Sequence, residues 1–275
     1  MNIWELFSAL VLGVVEGLTE FAPVSSTGHM IIVDDMWLRS KDFLDEKVAN
    51  TFKIVIQLGS ILAVVVVFRN RFVDLLGLKK ETQSFSGKLR LTHIIVGLLP
   101  AGVLGVLFED YIDEHLFSLK TVLIGLVIGA FLMIAADLIS KRKSTVKVDT
   151  VDQITYKQAF YVGLIQCLSL WPGFSRSGST ISGGVLLGMS HRAAADFTFI
   201  MAVPIMAGAS FLSLLSKWQY FTVDAIPFFI VGFVSAFFFA LVSIKFFLKL
   251  INRVQLIPFA IYRIALAALI YIIYF

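Results

Sequence analysis

Long apolar stretches separated by short polar connections run through most of the chain. Six of them, at about 49–68, 91–108, 119–139, 193–215, 225–248 and 256–274, are each near the length an α-helix needs to cross a hydrocarbon core. Two other regions break the pattern. Residues 16–29 read EGLTEFAPVSSTGH and residues 166–179 read QCLSLWPGFSRSGS, polar segments interrupted by proline and glycine inside apolar surroundings. They align without gaps at an offset of 150, with Glu16 against Gln166, Thr19 against Ser169, Phe21 against Trp171, Ser25 against Ser175, Thr27 against Ser177 and Gly28 against Gly178. A twice-used broken segment of this kind predicts a site assembled from two halves of a duplicated membrane protein.

The charges between the apolar stretches set the expected orientation. Arg69, Arg71, Lys79, Lys80, Lys88 and Arg90 follow the first crossing, and Lys141, Arg142, Lys143, Lys147 and Lys157 follow the third, which places both connections in the cytoplasm with Lys249 and Arg253. The connection carrying Glu109, Asp110, Asp113 and Glu114, and the nearly uncharged one at 217–224, read as external. The first motif region must then begin and end outside, and the second must begin and end inside. Each is a hairpin that enters the membrane and turns back.

The expected fold is therefore an all-α polytopic membrane protein, a single membrane domain over 1–275 with an inverted-topology repeat. Each half, about 1–140 and about 154–275, holds one re-entrant helical hairpin followed by three transmembrane helices. The odd number of crossings inverts the second copy, so the hairpin tips approach from opposite faces. Irregular backbone at that depth is tolerable only in contact with protein or a watery cavity, so the tips are expected to meet in a polar pocket. Both termini are expected outside, and the N-terminus, which lacks the pattern of a cleaved secretory signal, is expected to remain in the mature protein.

Composition narrows the class. Mean hydropathy is +0.89, with 58% hydrophobic and only 15% charged residues, which excludes a soluble domain with its usual quarter of charged residues. The net charge of +4 resides in topology-setting loops, with no basic surface interleaved with aromatics, so nucleic acid is not an expected partner. The single cysteine, Cys167, excludes an internal disulfide and a thiolate metal cluster.

The candidate chemistry lies in the two broken segments. Glu16 and Glu20 are spaced to share a helix face, and two carboxylates close together in a poorly solvated site call for a proton or a cation. Oxygen ligands completed by phosphate and water are what Mg²⁺ or Ca²⁺ prefers, so the pair is a candidate metal site. After the break at Pro23 come Ser25, Ser26 and Thr27 as caps or hydroxyl donors, Gly28 for close approach, and His29, an imidazole able to act near neutral pH. The second segment breaks at Pro172–Gly173 and then sets Arg176 between Ser175 and Ser177, followed by Gly178, Ser179 and Thr180. A guanidinium is costly at membrane depth, and its fork matches phosphate oxygens. N–H groups at the start of each returning half-helix also suit phosphate. Lys53, Gln57, His93, Asp137, Asp196, Lys245 and Arg263 read instead as snorkelling, helix-end or packing residues.

Together, EGLTEFAPVSSTGH, PGFSRSGST and QLGS at 57–60 resemble the undecaprenyl-diphosphatase family of bacteria, also known through bacitracin resistance, over essentially the whole chain. The resemblance implies a multi-pass enzyme of the bacterial inner membrane that hydrolyses undecaprenyl diphosphate to undecaprenyl phosphate and inorganic phosphate, recycling the carrier for cell-wall synthesis. It places the catalytic functions on Glu16, Glu20, Ser26, His29 and Arg176. Ser25, Thr27, Gly28, Gly173, Ser175, Ser177, Gly178 and Thr180 are the expected substrate contacts, and Glu16 and Glu20 would hold the divalent cation. Ser26, His29 and a metal-bound water all remain open as nucleophile. The site is expected to face the periplasm, the partners are the lipid substrate and membrane lipids, and a homodimer is entertained. A polyprenyl-phosphate flippase or ion-coupled transporter is the alternative, since inverted repeats with broken helices are also the architecture of carriers. The orientation makes one expectation testable: cysteines introduced near Ser40 and near Ser86 should react with impermeant reagent from opposite sides of the membrane, and labelling of both from one side would refute it.

Overall fold

The computed structural model describes residues 2–78, 89–143 and 146–275. Lys79, Lys80 and Lys88 of the expected basic connection, and Ser86, lie outside the described residues. Thirteen α-helices run through the described chain: α1 (Ile3–Thr19), α2 (Ser26–Val33), α3 (Glu46–Val55), α4 (Gln57–Val67), α5 (Arg69–Leu75), α6 (Leu91–Leu107), α7 (Glu109–His115), α8 (Leu119–Lys143), α9 (Tyr156–Gln166), α10 (Arg176–Leu186), α11 (His191–Lys217), α12 (Ile226–Val254) and α13 (Ile257–Tyr274). α1–α2 and α9–α10 are the two broken segments.

Five stretches are long and apolar enough to cross a membrane: α3 with α4, α8, α11, α12 and α13. The sixth expected crossing, at 91–108, is a bent pair, in which α6 and α7 meet at 66°. The bend falls where the apolar run meets Glu109 and Asp110, so α7 leaves the direction of α6 at the point where burial in lipid stops being favourable. Several helices also run past the predicted ends, α12 carrying Lys245, Lys249 and Arg253 in its last turns, because charged residues with long stems still favour helix beyond an apolar core.

Small residues bring the helices close enough for backbones to touch. A Cβ on Gly17 of α1 would come within 2.8 Å of the Ala240 amide nitrogen on α12. Beside that contact, Ser235 and Ser243 of α12 donate to the Leu10 carbonyl (3.0 Å) and the Leu18 carbonyl (2.9 Å) of α1. Small side chains with serine hydroxyls between them are how helices adhere where no hydrophobic force favours contact.

Polar residues that read as packing elements do pack. Lys53 is 1% exposed and pairs with Asp34 at 2.5 Å, and Asp34 also accepts from the Ser40 amide (2.8 Å) and hydroxyl (2.6 Å). Ser40 is thus buried, and the neighbouring exposed Lys41 is the place for a label on that connection. Asp137 accepts from the Leu256 and Ile257 amides at the start of α13 (2.9 and 3.0 Å) and from His191 Nε2 (2.7 Å). Asp196 is held by Arg192.

Arg263 has the largest structural consequence. Fully buried on α13, its guanidinium donates to the carbonyls of Gly125 (3.1 Å), Gly173 (2.9 Å) and Phe174 (2.9 Å), with a longer contact to Pro23 (3.4 Å). One side chain therefore joins α8 to the breaks of both hairpins. Arg263→Met should strand the Gly173 and Phe174 carbonyls and destabilise the protein by about 3 kcal/mol, each lost bond to a charged donor being worth roughly 1.5–3 kcal/mol before relief of the buried charge is offset. A thermal scan of the detergent-solubilised variant should show a clearly lowered midpoint, and an unchanged one would contradict this role.

Candidate active site

Both hairpins turn on a serine in the left-handed region: Ser25 at φ 72° and Ser175 at φ 75°. The conformation is unfavourable for a residue with a Cβ, and it is sustained in each case by the same bonds. Ser25 Oγ accepts from the Gly28 amide (3.2 Å) and Ser175 Oγ from the Gly178 amide (3.0 Å). Each serine's carbonyl accepts from the amide four residues on, His29 and Ser179, at 3.0 Å. The Gly28 and Gly178 amides are therefore occupied within the turn. That leaves the first-turn N–H groups of Ser26 and Thr27, and of Arg176 and Ser177, as the donors that a helix start offers a ligand. Gly173, at φ +90°, lies against the Val122 backbone of α8, where no Cβ fits.

The tips meet. Ser177 Oγ of the second hairpin donates to the Ala22 carbonyl of the first (3.2 Å). Arg176 donates through Nη2 to Glu20 Oε1 and through Nη1 to the Thr198 carbonyl (3.2 Å). Ser26 Oγ donates to the other oxygen of the same carboxylate, Glu20 Oε2. Glu20 thus stands between a hydroxyl and a guanidinium from opposite halves of the chain, and it is 6% exposed.

These groups line the deep end of a cavity of about 460 Å³, with Ser25, Thr27, Gly173, Ser175 and Ser177 beside them. Gln57, from the QLGS segment, lines it too and donates to Thr27 Oγ1 at 3.0 Å. The remainder of the wall is largely apolar, formed by α6 and α11. At Gly97 the two helices are in tight contact, where an added Cβ would come within 2.6 Å of Met201 Sδ, but at Gly102 and Gly208 an added Cβ would meet nothing within 4 Å. Farther along, Lys217 pairs with Asp113 and Ser216 Oγ donates to Glu109 (3.1 Å). The helices are closed at one end, tethered at the other, and parted between. Val106, Gly208, Ala209 and Leu212 on that rim are exposed.

Five predicted site residues lie off the cavity wall. Gly28 and Gly178 are within the turns, and Thr180 sits behind Arg176, accepting from Thr198 Oγ1 (2.8 Å) and donating to the Arg176 carbonyl (2.8 Å). His29 holds Ser25: Nδ1 donates to the Ser25 carbonyl (2.8 Å), so the neutral ring accepts the Tyr262 hydroxyl at Nε2 (2.7 Å). Glu16 is fully buried behind Glu20, with Ser60 and Ser26 as further polar neighbours. Neither of its carboxylate oxygens has a hydrogen-bond partner, and neither does the Ser60 hydroxyl.

Sequence reasoning read Arg263 and Gln57 as packing residues and passed over Tyr262 and Thr198. For Arg263 a signal existed, since an arginine in the middle of an apolar helix carries the same implication as Arg176. Tyr262 and Thr198 are ordinary residues of apolar helices and carry none.

Helices of membrane-spanning length around two broken hairpins, with a serine, a carboxylate and a guanidinium joined below an apolar cavity, define a polytopic membrane protein with a buried polar centre. Residues 9–269 match the family described as bacitracin resistance protein BacA, and the chain belongs to that family. It is 74% identical over 275 residues to the undecaprenyl-diphosphatase of Geobacillus sp. (strain WCH70), covering 100% of both chains. It is likewise 74% identical over 275 residues to that of Anoxybacillus flavithermus (strain DSM 21510 / WK1), again over 100% of both. Against the undecaprenyl-diphosphatase of Bacillus subtilis (strain 168), identity is 64% over 276 residues, 99% of each chain.

Proposed function

We propose that this chain is an undecaprenyl-diphosphatase of the bacterial inner membrane, and that its two halves are related by inverted topology with the cavity open to the periplasm. The observation that carries the reading is the contact of Glu20 with both Ser26 and Arg176: a hydroxyl held by a carboxylate, next to a guanidinium, is a phosphoryl-transfer arrangement. A carrier needs no nucleophile. Relatives of this identity over their full length bear the same activity in their names.

In the proposed reaction the diphosphate enters the deep end of the cavity and takes over the Arg176 fork from Glu20. Glu20 accepts the Ser26 proton as Oγ attacks the terminal phosphorus. The bond from that phosphorus to the bridging oxygen breaks, undecaprenyl phosphate departs, and water then releases phosphate from the serine. Arg176 and the first-turn N–H groups of α2 and α10 stabilise charge on the transferring oxygens. His29 acts through Ser25, whose strained carbonyl it holds, and so positions the turn that presents Ser26.

The acidic side suits a divalent cation. Glu16 places two unpartnered carboxylate oxygens beside Glu20, and a buried charge in that state requires a cation or a proton. Glu16 and Glu20 would hold Mg²⁺ or Ca²⁺ with substrate oxygens and water completing its shell. When bound, the ion would neutralise charge on the diphosphate.

The prenyl chain is assigned to the parted stretch between α6 and α11, which continues the site sideways past Gly102 and Gly208.

Purified protein in detergent should release inorganic phosphate from undecaprenyl diphosphate, and chelation of divalent ions should stop it. Ser26→Ala should lower kcat at least a thousandfold, and Arg176→Lys, which keeps charge but loses the fork, at least a hundredfold. Release by Ser26→Ala at the wild-type rate would move the nucleophile elsewhere. No release by the wild type would end the enzymatic reading.

Gly208→Leu tests the prenyl path. An added Cβ there meets nothing within 4 Å and the change replaces a poor helix former, so the thermal midpoint should hold or rise. Hydrolysis of undecaprenyl diphosphate should nevertheless fall at least tenfold while farnesyl diphosphate is still cleaved. Equal loss on both substrates would place the chain elsewhere.

A further inference from the structure

Gln166 ends α9 at the position that the internal repeat pairs with Glu16. It is 1% exposed, it lines the cavity alongside Glu20, Arg176 and Ser177, and neither Nε2 nor Oε1 has a hydrogen-bond partner. A buried carboxamide ordinarily finds partners, because stranding its donor and acceptor is costly. Its surroundings hold no obligation to keep it polar: an apolar side chain of equal volume would fill the same space without that penalty. A group left unpaired in the wall of a binding cavity has its partner in the ligand.

Comparison of the paired positions indicates which ligand. Glu16 and Gln166 occupy matching places in the two copies, and both leave their polar atoms unpartnered. The acid sits behind Glu20 on the side suited to a cation. The amide belongs to the hairpin that carries Arg176 and lines the same cavity, where the charge to be met is negative. A carboxamide N–H₂ donates to phosphate oxygens without competing for Arg176, whereas a carboxylate there would repel the same oxygens.

We infer that Gln166 is a further substrate-binding residue, its Nε2 donating to a diphosphate oxygen beside the Arg176 guanidinium. This rests on the diphosphatase reading above. The second copy of the repeat then supplies two neighbouring donors, one charged and one neutral, to the same anion.

Gln166→Met and Gln166→Glu distinguish this role from a structural one. In Gln166→Met the ligand-free protein should keep or raise its thermal midpoint, since an unpaired polar group is replaced by an apolar one of similar volume. Its kcat/KM for undecaprenyl diphosphate should fall tenfold to a hundredfold with KM raised. Thermal stabilisation by a non-hydrolysable prenyl methylenediphosphonate should shrink in parallel, a readout independent of turnover. Gln166→Glu should be worse than Gln166→Met on both measures. Wild-type kinetics and ligand stabilisation in Gln166→Met would overturn the inference while leaving the diphosphatase reading intact. A lowered midpoint with unchanged KM would overturn it in favour of a packing role, and Gln166→Glu outperforming Gln166→Met would overturn it in favour of a cation contact. A wild type that binds no diphosphonate and releases no phosphate would remove the underlying reading, and this inference with it.

Discussion

Breaking a helix inside a packed protein leaves carbonyl groups without partners, and buried carbonyls must find them in other residues. Two such breaks meet at the centre of this protein, and a single side chain reaches both. Arg263 donates to Gly173 and Phe174 at one break, approaches Pro23 at the other, and takes Gly125 of α8 as its third partner. A guanidinium suits the task because its donors diverge in one plane, so one residue serves carbonyls from three elements. With the breaks fixed to each other, Ser177 can reach the Ala22 carbonyl and Arg176 can reach Glu20. The groups of the proposed reaction are then held by elements that cannot drift apart without exposing backbone, which is the preorganisation that reaction would require.

The sequence carries this centre unevenly. Apolar stretches of about twenty residues are legible because lipid imposes length and composition together, and five of the six expected crossings lie where the pattern puts them. The sixth bends at Phe108 because acidic residues end its apolar run, a boundary visible in the sequence whose angle is set by packing. The turn serines are legible through repetition, since an unusual string used twice is constrained twice. What repetition could not convey is the direction of a side chain. His29 stands among hydroxyls and acids in the sequence, yet α2 turns its ring toward Tyr262 and the Ser25 carbonyl, and only the packing of α13 against the hairpin decides that. Gln57 and Arg263 lie far from either motif along the chain, so their arrival at the site is a property of the tertiary fold.

The two copies share a backbone device and differ in charge. Ser25 and Ser175 adopt the same strained conformation with the same acceptor bonds, so the turn itself tolerates little change. The side chains projecting from it were free to diverge, and they did so by sign: Glu16 and Glu20 on one hairpin stand opposite Gln166 and Leu170 on the other, and Ser26 stands opposite Arg176. A symmetric pair of acidic hairpins would repel both each other and an anionic substrate. A symmetric pair of cationic ones would hold a diphosphate but provide no base for the serine. Opposite charges on equivalent scaffolds attract and bring the tips together.

That attraction also bears on how the resting site is maintained. Ligand-free, Arg176 and Glu20 neutralise each other in a poorly solvated place, where either alone would be an uncompensated buried charge. In the proposed reaction a diphosphate displaces Glu20 from the fork, which is favourable only if the freed carboxylate finds another partner at once. Ser26 already occupies one of its oxygens, and the proton moving from Ser26 as Oγ attacks supplies what the lost guanidinium supplied. Loss of one contact and use of the other are thus coupled through a single carboxylate. In the proposed reaction a lipid without a phosphate head would not displace Arg176, Glu20 would remain neutralised by it, and Ser26 would face a weak base.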